Sequence, residues 1–358
     1  MIKVMVVVPA IGTGGGEKVA ITIAKYIDRK RFELLMVSLY PHQKTIYEKE
    51  IEEGNINLKY LNKHGGFDFG VIKELKRVIS EFQPDVIHTH LYVVPYVLLA
   101  APRKIPKYHT VHNIAEKEAE GLLRVFMRIA YSVGNFIPVT ISPFCRQTFI
   151  ELYRYKKKIP CIPNGIDVDK FKPSPMEHSV FKFICVARFE PQKNHQLLIQ
   201  AFSEIHQAYP DTVLELVGDG YLRPEIEDLV SALSLKDAVI MNGISDDIVG
   251  KNNSADVFVL ASDFEGLPVS VLEAMACGLP IISTDAGGTR DIVVSEENGI
   301  VVPVGDLTAL KAAMLRLRTN SGLRKTMGAK SRKYAMNNSV THFVSQYERL
   351  YEAKGGIN

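Results

Sequence analysis

The sequence has few cysteines, no long apolar run and no short repeat, and each absence excludes a class of protein. Its four cysteines are scattered without any Cys-x-x-Cys spacing, which argues against a disulfide scaffold and predicts a reduced, cytosolic chain. The longest apolar run, Leu91 to Ala101, contains Pro95 and is too short to cross a bilayer. The opening apolar stretch is interrupted by Lys3 and ends at Pro9, so we expect no signal peptide.

The length and the charge distribution predict two domains of different character. At 358 residues the chain exceeds what a single core usually supports, and 46% hydrophobic with 23% charged residues is ordinary for globular domains. Residues 1–154 carry 21 Lys/Arg against 15 Asp/Glu, a net charge of +6, whereas the remainder carries 22 against 25, a net charge of −3. The basic first half is compatible with an anionic partner, although a solvated, mildly basic surface is the better explanation of so small an excess.

Short β-branched runs alternate along the chain with longer segments of helical period, which is the pattern of parallel sheets flanked by helices. We predict strands near residues 2–8, 33–39, 56–60, 85–88, 107–111, 136–141 and 159–162, and again near 181–187, 213–217, 238–241, 256–260, 280–283 and 300–302. A proline-rich stretch after residue 159 indicates a hinge. The predicted fold class is α/β: two Rossmann-like, doubly wound domains, 1–163 and 164–338, that face a central cleft. A C-terminal helix over about 339–358 is expected to pack back on the first domain.

The stretch from Ser262 to Pro280 carries the clearest functional signal. Pro268 suits the first position of a helix, and Gly278 suits the position just after its end. Glu265 precedes this helix and Glu273 lies within it, where burying a carboxylate among Val, Leu, Ala and Met is costly without a partner. The N–H groups at a helix start favour a phosphate, and a carboxylate one turn further on can hold a vicinal diol such as a ribose. The pattern predicts a nucleotide site; a solvated Glu265 and a Glu273 paired with a structural arginine are the alternative.

Two other strand ends carry residues suited to such a ligand. Arg188 and Lys193 flank a turn after the strand near 181–187, and two cations there can clamp a diphosphate and neutralise its charge as it departs. The run Gly12-Thr-Gly-Gly-Gly-Glu17 lacks the third glycine of the dinucleotide fingerprint, yet its glycines let the backbone approach a bulky ligand closely. Inconsequential surface cations and a plain tight turn are the corresponding alternatives.

Four histidines end two neighbouring predicted strands of the first half: His88, His90, His109 and His112. Their spacing fits no standard zinc pattern, and no cysteine or paired carboxylate is near in sequence, so we expect no metal. We expect His112 to line the cleft and to hydrogen-bond a hydroxylated substrate, while the other three orient the strand ends.

Taken together, these residues resemble the retaining glycosyltransferases of the GT-B fold, in the large bacterial family 4 or group 1 type that includes polysaccharide and lipopolysaccharide assembly enzymes. The resemblance covers nearly the whole chain and rests on these motifs: Gly15-Gly16-Glu17, Thr110-Val-His-Asn113, Ile162-Pro-Asn-Gly-Ile-Asp167, Arg188 with Lys193, Leu216-Val-Gly-Asp-Gly220, Gly243, Glu265 through Gly278, and Ser283-Thr-Asp-Ala-Gly-Gly288. The motifs of the second half are the more specific.

The resemblance implies donor-binding residues in the second half and two further contacts from the first. Arg188 and Lys193 would grip the diphosphate, Glu273 the ribose, Glu265 with the backbone of Gly266 and Leu267 the donor sugar, and the backbone of Gly243 and Ile244 the base. His112 would contact the sugar beside the reacting carbon, and Gly15 and Gly16 would approach the phosphates or the acceptor. The candidate catalytic residues are thus His112, Arg188, Lys193 and Glu265. Members of the family often have an aromatic residue and a glycine after Glu-Gly, and Leu267-Pro268 stands there instead, which leaves the donor sugar open.

The implied reaction moves a sugar from a nucleotide-sugar to a hydroxyl of a glycan or lipid-linked acceptor, with retention and without a metal or other cofactor. A UDP-sugar is the commonest donor among similar enzymes, and no nucleic-acid partner is expected. No acidic nucleophile is evident in the first half, so we expect attack from the leaving-group side rather than through a glycosyl-enzyme. A nucleotide-sugar epimerase or phosphorylase of similar architecture, and a catalytically silent sugar-nucleotide-binding protein, are the alternatives.

Two segments are candidates for acceptor contact. Glu116 to Phe136 is predicted to form an amphipathic helix whose Arg124 and Arg128 could touch an anionic membrane, although an ordinary helix packed on its sheet is the expected arrangement. The segment Asn62–Phe69 places glycines beside aromatic residues and is the second candidate. The predicted location is the cytoplasm, with peripheral contact at the inner face of the cell membrane as an option.

Overall fold

The structure is a computed structural model that describes residues 1–174 and 180–356, and the chain divides into two units. Unit 1 comprises Met1–Gly165 together with Val340–Asn358, and unit 2 comprises Ile166–Ser339. The domain boundaries predicted from the sequence lie between residues 163 and 164 and between residues 338 and 339. Each unit contains one six-stranded parallel sheet with helices around it, so the predicted α/β class is confirmed.

Unit 1 is a doubly wound sheet in the order β3-β2-β1-β4-β5-β6. Its strands are β1 (Ile2–Val8), β2 (Phe32–Ser38), β3 (Leu58–Tyr60), β4 (Val86–His90), β5 (Lys107–Val111) and β6 (Phe136–Thr140). Its helices are α1 (Gly15–Tyr26), α2 (Ile46–Glu53), α3 (Phe69–Phe82), α4 (Val94–Ala100), α5 (Ala115–Glu118), α6 (Gly121–Val133), α7 (Pro143–Tyr153) and α14 (Val340–Glu352). β1 reads as an almost unbroken apolar run because both faces of a parallel sheet are covered, and its last five residues are fully buried.

Unit 2 repeats the plan with the order β12-β11-β10-β7-β8-β9. Its strands are β7 (Phe181–Val186), β8 (Thr212–Val217), β9 (Val239–Gly243), β10 (Val257–Leu260), β11 (Ile281–Thr284) and β12 (Gly299–Val302). Its helices are α8 (His195–Ala208), α9 (Arg223–Ala232), α10 (Ile248–Asn253), α11 (Val269–Ala276), α12 (Leu307–Thr319) and α13 (Ser321–Asn337).

In each sheet the winding direction reverses at one pair of adjacent strands. The pair is β1 and β4 in unit 1, and β7 and β10 in unit 2. Ligands of doubly wound sheets bind outside the carboxyl ends of the strands at such a switch point. The loops that follow these four strands are therefore where the fold favours a binding site.

The last helix, α14, follows unit 2 in the sequence but completes the core of unit 1. It packs against α1 and β1, and its Tyr347 and Tyr351 are fully buried. The Glu348 carboxylate of α14 accepts a hydrogen bond of 2.8 Å from the backbone N–H of Asp28. The C-terminal segment of unit 1 is thus joined to its N-terminal segment by a hydrogen bond as well as by packing.

The strand predicted near 159–162 is present only as a single bridge between Thr140 and Cys161. Thr140 donates to the Pro160 carbonyl at 2.9 Å, and Ile162 donates to the Thr140 carbonyl at 2.8 Å. Pro160 and Pro163 have no N–H group to continue the ladder in either direction, so the prediction of a strand there was wrong.

The amphipathic helix predicted from Glu116 to Phe136 is broken into α5 and α6. Ala119 is extended and Gly121 has a φ of +51°, a left-handed conformation that glycine adopts easily. Met127, Ala130 and Tyr131 of α6 are buried, as expected for a helix on its sheet. A second apolar stripe faces solvent: Leu122, Val125, Ile129 and Val133 are 79%, 53%, 43% and 50% exposed. The helix thus packs on the sheet through one side, and its apolar stripe from Leu122 to Val133 is left exposed within the described residues of unit 1.

None of the helices in the described parts of the chain is both long enough and apolar enough to cross a membrane.

Candidate functional site

The loop between β10 and α11 is held in place from two sides. On one side, Gln192 donates its Nε2 to the Phe264 carbonyl at 2.7 Å. On the other, the N–H of Glu265 donates to the Ala286 carbonyl at 2.6 Å and the N–H of Gly288 donates to the Glu265 carbonyl at 3.0 Å. Because β7 and β11 both neighbour β10, the segments that follow these three strands fix the backbone of Glu265 at the switch point of unit 2.

The Glu265 side chain lies in a buried cluster with a cation and a hydroxyl. It is 5% exposed, and its Oε1 accepts hydrogen bonds of 2.6 Å from Lys193 Nζ and 2.6 Å from Ser262 Oγ. Lys193 is 72 residues away in sequence, and the adjacency of β7 and β10 brings the two together. Two of the predicted site residues therefore meet, and the buried carboxylate has the partners that its burial requires. Ser262, which sequence reasoning gave no role, completes the cluster.

Helix α11 presents one polar face at the same end of the sheet. Ser270 and Glu273 on this face are half-buried. Val271 and Leu272, which lie between them in the sequence, are fully buried. Gly278 follows the helix, as predicted, and its φ of +82° is a left-handed conformation that suits this position. Pro268 is the N-cap rather than the first helical residue, with an extended ψ of 118°. The helix begins one residue later than predicted because the backbone of Pro268 still belongs to the loop between β10 and α11.

Arg188, the second predicted diphosphate cation, is half-exposed and is already engaged. Its Nη1 lies 2.7 Å from the Glu190 carboxylate in the same turn after β7. Lys193 and Arg188 thus each contact a carboxylate of unit 2, and an anionic ligand has to compete with both. Glu190 was missed by sequence reasoning because its spacing from Arg188 is typical of any exposed turn.

The glycines after β8 allow their backbone to pack closely against the turn after β7 that contains Arg188. A Cβ atom on Gly218 would lie 2.0 Å from the Ala187 carbonyl oxygen, and one on Gly220 would lie 2.5 Å from the Phe189 carbonyl oxygen. Only glycine fits at such distances, so the Gly-Asp-Gly motif fixes the backbone on either side of Arg188.

The residues predicted to meet a base lie at the end of β9. Gly243 has a φ of +78°, and its carbonyl accepts a hydrogen bond of 2.9 Å from the N–H of Gly218. The following side chain, Ile244, is 53% exposed. Gly266 and Leu267, predicted to meet the donor sugar, are buried in the clamped loop before α11.

A buried histidine lies two residues after Lys193. His195 begins α8 and is 3% exposed, and among the described residues neither of its ring nitrogens has a hydrogen-bond partner. Burial, followed by the nearby Lys193 charge, lowers the pKa of His195 to about 4. The ring is therefore neutral at pH 7, and no signal in the sequence distinguishes it from an exposed histidine at a helix start.

In unit 1, the segments that follow β1, β4 and β5 bring Gly16, Leu91 and His112 together. A Cβ atom on Gly16 would lie 2.8 Å from Leu91 Cδ2 and 3.5 Å from His112 Cδ2, so a larger residue there would have to displace the Leu91 side chain. Leu91 has a φ of +59°, a strained conformation for a branched side chain. Gly15, the other predicted ligand contact, is exposed at the start of α1. The structure thus brings two of the three predicted residues of unit 1 close together.

His112 is half-buried and is held by two polar contacts. Its Nε2 lies 2.9 Å from His90 Nδ1, and its backbone N–H donates to Glu118 Oε2 at 3.0 Å. Burial lowers the pKa of His112 to about 4, although the Glu118 carboxylate acts in the opposite direction. His112 is therefore neutral at pH 7. Within the described ranges, no three His, Cys, Asp or Glu side chains are arranged to hold a metal ion.

The segment from Asn62 to Phe69, which we call the aromatic loop, is organised around a buried lysine. Lys63 is 6% exposed, lies 3.1 Å from Tyr40 Oη and donates to the His64 carbonyl at 2.7 Å. Phe67 stacks on Phe126 of α6 at 6.3 Å between ring centroids. The two candidate acceptor segments are therefore parts of one surface.

Comparison with known proteins gives the chain two family matches. The model described as glycosyl transferases group 1 matches residues 168–334, and the model described as Glycosyltransferase Family 4 matches residues 13–170. The chain is 28% identical to the UDP-Gal:alpha-D-GlcNAc-diphosphoundecaprenol alpha-1,3-galactosyltransferase of Escherichia coli, over 79% of this chain and 81% of that protein. It is 25% identical to the N-acetyl-alpha-D-glucosaminyl L-malate synthase of Bacillus anthracis, over 94% of this chain and 93% of the relative.

A similar architecture occurs in a solved structure of HepE from Anabaena in complex with UDP and glucose. The TM-score is 0.86 with 20% sequence identity, and the match covers 99% of this chain and all of the other. At this identity the likeness concerns the fold, which is GT-B.

Proposed function

Because the chain belongs to the glycosyltransferases of the group 1 and family 4 type, we propose that it transfers a sugar from a UDP-sugar to a hydroxyl of a lipid-linked or glycan acceptor, in the assembly of a polysaccharide or lipopolysaccharide. Unit 2 binds the donor in this proposal, and unit 1 binds the acceptor. The support for a uridine donor is that the E. coli relative is named for UDP-Gal and the Anabaena structure contains UDP.

The observation that carries the proposal is the Lys193–Glu265 cluster at the switch point of unit 2. A cation and a carboxylate 2.6 Å apart, clamped beside the start of α11, offer complementary contacts to a nucleotide-sugar. Lys193, with Arg188, binds the diphosphate, and the carboxylate of Glu265, with the backbone of Gly266 and Leu267, binds sugar hydroxyls. The helix start adds N–H groups that favour phosphate oxygens.

The other predicted residues take the roles that the family pattern implies. Glu273 holds the ribose, and the backbone of Gly243 and Ile244 contacts the base. In unit 1, His112 contacts the donor sugar beside the reacting carbon, and Gly15 and Gly16 approach the phosphates or the acceptor.

We propose retention of configuration by attack from the leaving-group side. The acceptor oxygen forms a bond to the anomeric carbon as the bond from that carbon to the phosphate oxygen breaks, and the acceptor proton passes to the departing phosphate. Lys193 and Arg188 stabilise the negative charge that develops there, so the step needs no metal. Glu118, a carboxylate close to His112, accepts its backbone N–H through Oε2, while Oε1 is buried. In this proposal Glu118 holds the backbone of His112 and does not act as a nucleophile.

Turnover by the purified protein tests the reaction. We expect release of nucleoside diphosphate from UDP-sugars in the presence of a polyprenyl-diphosphate-linked GlcNAc acceptor, with EDTA present. GDP-sugars and L-malate serve as the alternative donor and acceptor. A product with inverted anomeric configuration in proton NMR spectra would exclude the proposed mechanism, and the absence of heat on titration with UDP and GDP would exclude the donor site.

Substitution of Lys193 tests the assignment of the cluster. Lys193→Ala should lower kcat by about 100-fold, the scale for loss of one donor that stabilises developing charge. Lys311→Ala, which removes an exposed lysine paired with Glu204 on the same unit, is the matched control and should retain full activity. Unchanged turnover in folded Lys193→Ala protein would remove Lys193 from the mechanism.

The lipid-linked acceptor is supported by the surface of unit 1. The exposed stripe of α6 begins at Leu122. The aromatic loop contacts the same helix through Phe67 and Phe126, and its Phe69 is 75% exposed. Unit 1 carries 26 Lys/Arg against 17 Asp/Glu, a net charge of +9, whereas unit 2 carries 17 against 23, a net charge of −6. A basic unit with an exposed apolar helix face suits an anionic bilayer. We propose that the protein acts in the cytoplasm, at the inner face of the cell membrane.

Vesicle co-sedimentation tests this contact. We expect binding to vesicles with anionic lipid, weaker binding to zwitterionic vesicles, and weakening by salt. Leu122→Glu combined with Ile129→Glu should reduce binding without loss of folding. Leu315→Glu, on an exposed position of α12 in unit 2, is the control. Equal binding of both variants would show that α6 is not the contact.

A further inference from the structure

Two histidines at the end of β4 lie on one face of the sheet of unit 1 and are fully buried. His88 and His90 alternate with Thr89 along the strand, so their side chains share a face. His88 Nδ1 lies 2.7 Å from Tyr351 Oη of α14, and its Nε2 lies 2.8 Å from Thr110 Oγ1. Both nitrogens of His88 are therefore occupied, and its ring is fixed in place.

The ring of His90 is packed between its neighbours and bonded to only one of them. Its centroid lies 4.2 Å from that of His88 and 5.1 Å from that of His112. His90 Nδ1 lies 2.9 Å from His112 Nε2, and His90 Nε2 is buried with no hydrogen-bond partner among the described residues. Directly after His90, the left-handed backbone of Leu91 turns the chain away from the strand. The close packing on His88 and the turn at Leu91 restrict the position of the His90 ring.

The position of the proton on His90 follows from this arrangement. Burial lowers the pKa of His90 well below its usual range, so the ring is neutral and carries one proton. A proton on Nε2 would be a buried donor without an acceptor, whereas a proton on Nδ1 can be donated to His112 Nε2. The second arrangement avoids an orphaned N–H group, so His90 donates and His112 Nε2 accepts.

We propose that His90 is a positioning residue, which holds His112 as the tautomer protonated on Nδ1. Since Nε2 of neutral His112 accepts from His90, its single proton is on Nδ1, a nitrogen that has no partner among the described residues. His112 then presents an N–H donor, rather than a lone pair, to an oxygen of a ligand. The identity of that ligand as the donor sugar or its departing phosphate rests on the proposed function; the tautomer does not.

Nitrogen-15 NMR of the histidine rings tests the tautomer in the full-length protein, independently of turnover. Long-range ¹H–¹⁵N spectra at pH 7 distinguish rings protonated on Nδ1 from rings protonated on Nε2, and His112→Gln identifies the signals of His112. We expect the Nδ1–H form in the wild-type protein and a shift toward the Nε2–H form in His90→Leu. Thr89→Val, which removes a hydrogen bond to His109 on the opposite face of the sheet, is the matched control and should leave the tautomer unchanged. A wild-type His112 protonated on Nε2 would overturn the proposal, even if His90→Leu did not fold.

Kinetics separate positioning from a general structural role. His90→Leu should lower kcat about 10-fold, the scale of one lost hydrogen bond, with the KM for the donor changed by less than about threefold. His90→Asn places an amide N–H near the position of Nδ1 and should recover most of that loss. Equal loss in the two variants would show that only the packing of His90 matters. If the protein transfers no sugar at all, the function proposed above fails, and the NMR measurement still decides the tautomer.

Discussion

The buried His195 predicts that unit 2 loses stability in mild acid. An unfolded histidine has a pKa of about 6.5, whereas burial lowers the pKa of His195 to about 4 in the folded protein. The unfolded chain therefore binds the proton first as the pH falls. The contribution of His195 to stability is fully present above about pH 6.5 and is lost as the pH falls from there toward about 4.

The size of the loss follows from the two pKa values. With about 1.4 kcal/mol for each unit of pKa difference, proton uptake by the unfolded chain costs the folded state about 2 kcal/mol between pH 7 and pH 5. That is a substantial fraction of the roughly 5–15 kcal/mol that stabilises a typical domain. The effect should be removed by His195→Leu, which replaces the ring with an apolar side chain that cannot titrate.

Urea unfolding between pH 5 and pH 8 measures this effect. Far-UV circular dichroism is the suitable signal because the chain contains no tryptophan. Hydrogen exchange of the β7 and α8 amides assigns the change to unit 2, since His112 in unit 1 also has a pKa of about 4. The wild-type protein should lose about 2 kcal/mol more than His195→Leu on going from pH 7 to pH 5. Parallel pH profiles for the two proteins would refute the reasoning.

Three further predictions concern unit 2. Glu215→Gln should lower the free energy of unfolding by about 3 kcal/mol in urea titrations, because it leaves two lysines at 3.0 and 2.5 Å without their buried carboxylate; a loss below about 1 kcal/mol would contradict it. Gly218→Ala should lower the thermal midpoint far more than Gly305→Ala, since both glycines have positive φ but only Gly218 would place a Cβ against a carbonyl. Glu190→Gln should tighten UDP binding up to about fivefold in calorimetry by releasing Arg188, and weaker binding would show that Glu190 does not compete.

Much of the fold was readable from the sequence because its signals are local. The β-branched runs that form β1 and β7 and the glycine after α11 each depend on a few neighbouring residues. The broken helix around Gly121 was missed because the apolar period continues across the break. The exposure of Leu122 was missed because apolar periodicity shows that a face exists, without showing what covers it.

The candidate site was predictable in its residue types but not in its contacts. Lys193 and Glu265 stand out as charges at strand ends, yet their ion pair depends on the order in which β7 and β10 enter the sheet. The contact of His90 with His112 likewise depends on the register of β4 against β5. The roles assigned to these residues in catalysis stay predictions.

The return of α14 to unit 1 has a consequence for synthesis on the ribosome. The nascent chain emerges with residues 1–165 first, but Tyr347 and Tyr351, which fill the core of unit 1, are translated only after all of unit 2. Unit 2 has its whole sequence available earlier and can fold while unit 1 still lacks its closing helix. The N-terminal part therefore reaches its final packing last, and a stop codon before residue 340 would leave it exposed to proteases and aggregation.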